Sequence, residues 1–490
     1  MSEKKPPFYI TTTIPYVNAA PHVGHALEFV QADVLARFKR LAGYEVFFNF
    51  GTDEHGQKIW EKAQAEGKDT QDYVDFYADK FKELRVTLDL SYDAFIRTTD
   101  TKHKAAAQEM WRRCSAAGDI YKKQYQIKYC IGCEMEKTDS ELVNGECPLH
   151  PGKSLETREE ENYFFRLSQY GEKLMKLYSL PDFLTPDSRL NELRSLESGA
   201  GMQDFSISRL ATKMPWGIAV PDDTEHVMYV WFDALVNYIS TLDWPQNEAQ
   251  FSRFWNGTRD CVQMAGKDQV RQQAAMWQAM LMSAKLPTTG RIFIHGFINS
   301  AGQKMSKSIG NVIEPISIVN EYGADALRYY LLRHIHPFED SDMTIEKFKE
   351  AYNADLANGL GNLAARVMTL SEKWLSGVVA PSPARGEGWG DVGVVFPEAY
   401  TNALEHFEFN RAIETVWHRI ETLDRRIAEE EPFKVVKVDE EKGRKMISNL
   451  VSELSTIALL LEPMLPATSY AINSAIKANK KPETLFPRKE

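Results

Sequence analysis

The chain has 490 residues, of which 43% are hydrophobic and 26% are charged, with a formal net charge of -11. This composition is typical of a globular protein with about two to four domains. The negative charge argues against wholesale nonspecific binding of nucleic acid, although local basic clusters also govern such binding. No apolar run approaches membrane-spanning length, and the opening MSEKKPPFYI lacks the apolar core of a signal peptide. We therefore predict a cytoplasmic protein that does not associate with membranes.

The first clear pattern is FYITTTIPYVNAAPHVGHALE, residues 8–28. Its β-forming residues predict a strand, its prolines a loop, and the apolar spacing from about Gly24 onward a helix. The free backbone N–H groups of such a helix start favour phosphate at the carboxyl end of a parallel sheet. His22 and His25 flank Gly24, which would let a nucleotide approach the backbone closely. Two polar helix caps are the alternative interpretation.

A second strand is predicted over residues 45–50, after a helix stop at Gly43. It leads into GTDEHG, which places Asp53 at the carboxyl end of a strand beside the first crevice. A carboxylate there can pair with a substrate ammonium group, or it can cap a helix. Residues 70–118 are predicted to be largely helical.

Cys130 and Cys133 form a C-x2-C pair, and Cys147 and His150 form a second pair with the same spacing. Two such knuckles match a closed tetrahedral zinc site, which is typical of a structural metal. With three of the five cysteines in this cluster, a disulfide framework is not expected. We predict zinc in a small insert, and unrelated surface cysteines are the alternative.

The sheet is predicted to resume at residues 227–230. Trp231, Ala234 and Tyr238 follow on a helix, where they belong either to the core or to a ligand pocket. The strand at residues 261–264 leads to AGKD, in which Gly266 permits close approach and Asp268 can hold a ribose hydroxyl. A further strand is predicted over residues 292–294.

Residues 302–308, GQKMSKS, carry Lys304 and Lys307 on a loop of small residues. Such a loop can bring ammonium groups onto a polyphosphate, so we predict a mobile lid. A solvated lysine pair is the alternative.

The β signal disappears beyond Pro315. Helices are predicted over residues 324–334, 345–375, 398–428 and 442–461, which together give a helical bundle. The stretch 378–396 is rich in Pro and Gly and is predicted to be an exposed connection.

The His22-Val23-Gly24-His25 and KMSKS motifs resemble those of the class I aminoacyl-tRNA synthetases. TTTIPYVNAAPHVGH, GTDEHG, YVWFDA, the cysteine knuckle and NADLANGLGNLAARV are similar to the methionyl-tRNA synthetase family within that class. The synthetases for isoleucine, valine and leucine carry a large editing insertion, whereas the segment between the sheet halves of this chain is short. The chain has no Cys before position 114 that could match the cysteine enzyme.

This resemblance implies an α/β protein: a Rossmann-type parallel-sheet catalytic domain with a zinc-containing insert, followed by an all-α anticodon-binding bundle. The expected divisions are 1–115 and 214–325 for the two catalytic halves, 116–213 for the insert, 326–350 for a connecting stem and 351–490 for the bundle. We expect a monomer.

The resemblance also implies roles for individual residues. Ile14 and Asp53 would hold the ammonium group of L-methionine, and its side chain would contact Tyr16, Trp231, Ala234 and Tyr238. The residues expected around ATP are His22, Gly24, His25, Gly266, Asp268, Phe297, Lys304 and Lys307, of which the two histidines and two lysines would act in catalysis. Asn362, Arg366 and Phe433 would read the anticodon.

The implied activity is methionine activation with ATP and Mg²⁺, followed by transfer to tRNA(Met), including the initiator. The chain departs from the family at Gln272-Gln273, where a Phe-His pair is common, and at Phe433, where Trp is usual. A noncatalytic tRNA-binding paralogue, a synthetase of altered amino-acid specificity and a nucleotidyltransferase with the same histidine motif are the alternatives.

Overall fold

The computed structural model describes residues 5–490 except residues 134, 138–141, 200, 306–309 and 376–395. The strands of these residues are β1 (Pro7–Thr11), β2 (Glu45–Thr52), β3 (Ala94–Arg97), β4 (Ile120–Cys130), β5 (Met135–Glu136), β6 (Glu156–Phe165), β7 (Leu184–Thr185), β8 (Phe205–Ser206), β9 (Ser208–Leu210), β10 (Ala219–Val220), β11 (Asp223–Met228), β12 (Cys261–Gly266), β13 (Arg291–His295), β14 (Ile298–Ser300), β15 (Gln303–Lys304) and β16 (Ser341–Asp342).

The helices of the first two thirds of the chain are α1 (Val23–Leu41), α2 (Gln57–Ala65), α3 (Thr70–Thr87), α4 (Thr101–Ala116), α5 (Gly171–Tyr178), α6 (Leu190–Ser198), α7 (Val230–Ala234), α8 (Asn237–Ser240), α9 (Glu248–Phe254), α10 (Trp277–Ser283), α11 (Pro315–Tyr322) and α12 (Ala324–Arg333). They are followed by α13 (Ile345–Ala351), α14 (Asn362–Trp374), α15 (Glu398–Glu405), α16 (Phe409–Glu430), α17 (Pro432–Val438), α18 (Glu440–Leu461) and α19 (Pro466–Ala478). Residues Gln272–Met276 and Tyr352–Gly361 are π-helical.

The central sheet is parallel, with strand order β3-β2-β1-β12-β13-β7. Strand β1 pairs with β2 on one side and with β12 on the other, so the strand order reverses at β1. In open parallel sheets the crevice at such a reversal, at the carboxyl ends of the strands, is where ligands bind. The predicted Rossmann-type catalytic fold is therefore confirmed.

Helix α1 begins at this crevice because His22 caps it. The His22 side chain accepts a hydrogen bond from the Gly24 N–H, and the His25 side chain accepts one from the His22 N–H. The helix ends at Leu41, and Gly43 adopts a φ of 88°, which glycine adopts readily. The predicted start near Gly24 and the stop at Gly43 are both confirmed.

Two buried clusters cover the two faces of the sheet. One joins α1 and α3 to α12, α14, α16 and α18, so the catalytic fold and the helical bundle share one continuous core. The other joins α4, α8 and α10 to the insert. A buried ion pair strengthens the first contact, because Arg328 of α12 lies 2.8 Å from the Asp33 carboxylate of α1. Removing either partner would leave an uncompensated buried charge.

The insert is built on a long antiparallel hairpin in which β4 pairs with β6 along ten positions from Ile120 to Tyr129. The cysteine knuckle lies at the far end of this hairpin, between the two strands in sequence. Phe164 and Phe165 are buried at its base. None of the helices in the described ranges is long and apolar enough to cross a membrane.

The stretch 70–118 is largely helical, as predicted, although it also contains β3, a four-residue strand between α3 and α4 that pairs with β2 and is too short to find from sequence. The prediction that the central sheet resumes near residue 227 is wrong. The strand near residue 227 is β11, which is antiparallel in a separate three-stranded sheet and does not resume the central one. Its pairing partners, β9 and β10, are too short to read from sequence.

Differences of the same kind occur in the C-terminal half. The helix predicted over residues 398–428 is interrupted between α15 and α16, where Phe407 adopts a φ of 60°. The two-residue strand β16 lies beyond Pro315 and pairs with β14. The connection predicted over residues 378–396 falls outside the described residues as far as residue 395.

Candidate active site

Two neighbouring cavities open at the carboxyl ends of β1, β2 and β12. The first, of about 330 Å³, is lined by all six residues expected to bind methionine: Ile14, Tyr16, Asp53, Trp231, Ala234 and Tyr238. The second, of about 220 Å³, is lined by the expected ATP residues His22, Gly24, His25, Gly266, Asp268, Phe297 and Lys304. Both cavities include His22 and His25, so the histidine pair lies at their junction. Lys307 lies outside the described residues.

Asp53 is fixed in the first cavity by its backbone. Its N–H donates to the Pro15 carbonyl at 2.9 Å, and its carbonyl accepts from the Val17 N–H at 3.1 Å. These bonds join the end of β2 to the loop after β1, which carries Ile14 and Tyr16. The carboxylate is 3% exposed, so its attraction for a substrate ammonium group is weakly screened.

The residues that follow Asp53 hold this loop from two sides. The Glu54 carboxylate pairs with the Arg97 guanidinium at 2.6 Å, and His55 Nδ1 lies 2.7 Å from Asp233. Asp233 also lies 2.7 Å from His103 Nε2. Burial raises the pKa of Asp233, but the charge and hydrogen bonds of His55 and His103 lower it to about 2. Because Asp233 lies on α7 between Trp231 and Ala234, it connects the two walls of the cavity.

His22 and His25 are stacked, with ring centroids 3.9 Å apart. Each Nδ1 accepts a backbone N–H, so the neutral ring carries its proton on Nε2. Burial and the nearby Lys304 lower the pKa of His22 to about 4. Burial, His22 and His295 also lower the pKa of His25. At neutral pH these rings therefore offer N–H donors to a phosphate and carry no charge.

The positive charge at the second cavity comes from lysine. Lys304 Nζ lies 5.3 Å from the Phe297 ring centroid, and Lys267 Nζ lies 4.8 Å from it. Lys267 is also paired with Asp340 at 2.7 Å. A Cβ added at Gly266 would lie 2.9 Å from Asp268 Oδ1, so glycine leaves space beside that carboxylate.

The metal-ligand prediction is supported by the geometry of four side chains. The ligand atoms of Cys130, Cys133, Cys147 and His150 all lie within 4.8 Å of one another. Cys133 Sγ is 3.3 Å from Cys147 Sγ and 3.2 Å from His150 Nδ1, and Cys130 Sγ is 3.8 Å from the same nitrogen. Tetrahedral zinc with ligands at about 2.0–2.3 Å separates ligand atoms by about 3.5–3.8 Å. The donor set therefore fits a tetrahedral metal ion.

Gly132 is needed for this cluster. A Cβ at this position would lie 2.4 Å from His150 Cδ2, so only glycine lets the imidazole approach the C-x2-C turn. The same turn faces α2, where Lys58 Nζ lies 3.5 Å from the Gly132 carbonyl.

The residues expected to read an anticodon lie on the helical bundle. Asn362 is the first residue of α14 and Arg366 lies one turn later. The Arg366 guanidinium is paired with the Asp424 carboxylate of α16. Phe433 is the second residue of α17 and is 37% exposed. Helices α14 and α17 both pack against α18.

A family model described as "tRNA synthetases class I (M)" matches residues 8–152 and 149–368. The chain belongs to the class I aminoacyl-tRNA synthetases of the methionine type. The methionine--tRNA ligase of Caldanaerobacter subterraneus is 41% identical over 472 residues, which cover 95% of this chain and 73% of that protein. The Synechocystis enzyme of the same name is 40% identical, with 95% and 89% covered.

The synthetase also resembles solved structures along its whole length. The Mycobacterium tuberculosis methionyl-tRNA synthetase bound by methionyl-adenylate superimposes with a TM-score of 0.86 and 36% sequence identity. The match covers 99% of each chain. The α/β catalytic fold followed by a helical bundle is thus common to both proteins.

Sequence reasoning missed several groups at the active site of this synthetase. Glu28 lines the second cavity, and its carboxylate accepts from the Thr13 backbone N–H at 2.5 Å and lies 2.9 Å from His295 Nε2. Glu28 could have been noticed, because it lies three residues after His25 on the same helix face. Its partner His295, and the Asp233 pair with His55 and His103, depend on tertiary contacts that no local pattern predicts.

Proposed function

We propose that this chain is a methionine--tRNA ligase. It activates L-methionine with ATP to methionyl-adenylate and transfers the methionyl group to the terminal adenosine of tRNA(Met). The observation that carries this proposal is the junction of the two cavities at His22 and His25, at the point where the strand order of the sheet reverses. An amino acid in the first cavity would present its carboxylate to a nucleotide in the second.

In the first step, a methionine carboxylate oxygen attacks the α-phosphorus of ATP in line. The bond from that phosphorus to the bridging oxygen breaks, and pyrophosphate leaves with the bonding electrons. The chain needs no nucleophile of its own, because positioning and charge stabilisation drive such a reaction. His22 and His25 would donate Nε2–H to phosphate oxygens, and Lys304, with Lys307, would neutralise their charge. Mg²⁺ would accompany ATP.

The first cavity supplies the contacts for the amino acid. The buried Asp53 carboxylate would pair with the ammonium group, beside the backbone of Ile14. Tyr16, Trp231, Ala234 and Tyr238 would contact the thioether side chain, which offers only a weak acceptor sulfur and a flexible apolar chain. Shape and aromatic contact must therefore provide most of the selectivity.

The second step would occur at the same junction. A ribose hydroxyl of the terminal adenosine, the 2′-hydroxyl in class I enzymes, attacks the carbonyl carbon of the adenylate, and AMP leaves. Asn362, Arg366 and Phe433 would contact the anticodon on the bundle, with the Phe433 ring stacking on a base. The metal at Cys130, Cys133, Cys147 and His150 would be zinc and would fold the insert.

The direct test is ATP–pyrophosphate exchange without tRNA, with each of the twenty amino acids. We expect exchange with methionine alone, followed by charging of initiator and elongator tRNA(Met). Exchange with a different amino acid would support the proposed reaction but assign a different amino-acid specificity. Absence of exchange with retained tRNA binding would favour the noncatalytic paralogue.

A further inference from the structure

The position of Lys304 beside the second cavity depends on a small three-stranded sheet that none of the roles above explains. Lys304 is the last residue of β15, which has only two residues and pairs antiparallel with β14. A hairpin this short is at best marginally stable by itself. Strand β16, in the connecting stem, pairs parallel with the other edge of β14. The stem therefore supports the hairpin that carries Lys304.

The turn between β14 and β15 is unfavourable for its sequence. Ser300 pairs with Gln303, so the turn consists of Ala301 and Gly302 alone. Their φ angles are 52° and 74°. A two-residue hairpin turn in which both φ angles are positive favours Asn-Gly, whereas alanine rarely adopts a positive φ. The Ala301-Gly302 turn therefore needs a contact from outside the hairpin to hold it closed.

Asp342 of β16 supplies this contact. Its Oδ1 accepts the Gly302 N–H at 2.7 Å. Asp342 also lies opposite Asn299 of β14, and Asn299 lies opposite Lys304 on its other side, so the three residues form one row across the sheet. The second carboxylate oxygen of Asp342 lies 2.8 Å from Lys347 Nζ. One carboxylate of the stem thus holds the turn two residues before Lys304.

We propose that Asp342 is a positioning residue for methionine activation, which fixes Lys304 beside the second cavity by closing the Ala301-Gly302 turn. This inference rests on the proposed function, in which Lys304 neutralises charge on the phosphates. A cation stabilises a transition state most when it is preorganised, because it then needs no reorganisation during the reaction. Without the bond to Gly302, the hairpin would open more often and Lys304 would leave its position.

The competing explanation is that Asp342 only stabilises the stem, where it pairs with Lys347 of α13. The two explanations differ in whether the effect of Asp342 depends on Lys304. A stabilising role acts equally whether or not Lys304 is present. A positioning role disappears once Lys304 is removed, so the two substitutions are then not additive.

The first test is a double-mutant cycle in methionine-dependent ATP–pyrophosphate exchange. We expect Asp342→Ala to lower kcat by about tenfold, the lower end of what one hydrogen bond to a charged group supplies. The KM for methionine should remain as in the wild type. In a Lys304→Ala background the same substitution should change kcat by less than about twofold. Asp342→Asn keeps an oxygen that can accept the Gly302 N–H, so its kcat should lie within about threefold of the wild type.

The second test repairs the turn from its own side. Ala301 is exposed, and Ala301→Asn creates the Asn-Gly pair that closes such a turn without outside help. The double variant Ala301→Asn, Asp342→Ala should therefore recover kcat to within about threefold of the wild type. A role of Asp342 in the stem predicts no recovery, because Ala301 lies in the hairpin and does not contact α13 through this carboxylate.

Lys347→Ala is the matched control, because it removes the ion pair of Asp342 and leaves the bond to Gly302. Its exchange activity should equal that of the wild type. A wild-type kcat in Asp342→Ala, equal losses with and without Lys304, or no recovery with Ala301→Asn would each overturn this inference alone. Absence of methionine-dependent exchange in the wild type would refute the proposed function, and this inference with it.

Discussion

The Nδ1 atom of His25 accepts the backbone N–H of His22 at 3.2 Å, within the turn that begins α1. This bond, with the one from Gly24 to His22, uses the acceptor nitrogen of both rings. A histidine pair beside a phosphate site suggests two imidazolium cations, but both rings here are neutral. In the proposed reaction the lysines would therefore supply the positive charge, and the histidines would donate fixed hydrogen bonds.

The first prediction concerns pH. The pKa of His22 is lowered to about 4 in the folded chain, from about 6.5 in an unfolded one. Its stabilising contribution is therefore complete above pH 6.5 and is lost as the pH falls toward 4. Between pH 7.5 and 5.0 we expect the wild type to lose about 2 kcal/mol of unfolding free energy through His22 alone.

The comparison variant is His22→Asn, which can still cap α1 but does not titrate. Denaturant midpoints at the two pH values should fall less for this variant than for the wild type. His25 and His295 remain in both proteins, and because His22 helps to lower the pKa of His25, the difference reports the stacked pair of rings. Parallel curves for the two proteins would contradict the assignment of a neutral buried His22.

The second prediction concerns Lys304. Within the described residues, Lys304 Nζ has no carboxylate partner, whereas Lys267, beside the same Phe297 ring, is paired with Asp340. We expect Lys304→Ala to slow methionine-dependent exchange by about 10²–10³, the usual cost of one preorganised contact to the developing charge. Lys267→Ala should change it by less than about threefold, because the partner already neutralises that ammonium. Equal losses would remove the special role of Lys304.

The third prediction concerns the metal. Elemental analysis should find about one zinc per wild-type chain and almost none in Cys147→Ser. Gly132→Ala should also lose zinc, because the added Cβ displaces the His150 ring. Cys261→Ala provides the control, since this buried cysteine lies on β12 outside the cluster. Equal metal content in all four proteins would refute the site.

The local part of the active site could be predicted from sequence because each motif lies at the end of one strand. The strand, loop and helix around His22, the end of β2 at Asp53 and the end of β12 at Gly266 all point to the same edge of the sheet. Topology then brings them together. The residues that hold these motifs in place could not be predicted in this way. Asp233, for example, contacts His55, which lies 178 positions away in the sequence.

Gln273 shows the same limit. Gln272-Gln273 is visible in the sequence as a departure from the family, but nothing local predicts that Gln273 bonds Tyr238. Short strands were missed for a related reason. Strand β3 has four residues, and its assignment depends on pairing with β2 more than on its own composition.

The last prediction separates anticodon reading from catalysis. Arg366 of α14 is half-exposed and paired with Asp424, and such a pair contributes little to stability, about 0–1 kcal/mol. We therefore expect Arg366→Ala to fold normally and to keep methionine-dependent exchange. The kcat/KM for tRNA(Met) charging should fall by about tenfold or more, because one good base contact is worth about 1–3 kcal/mol. Arg419→Ala is the matched control, because Arg419 pairs with Glu453 at 2.6 Å between α16 and α18 with similar exposure. A fall in exchange as large as the fall in charging, or an equal effect of Arg419→Ala, would exclude an anticodon role for Arg366.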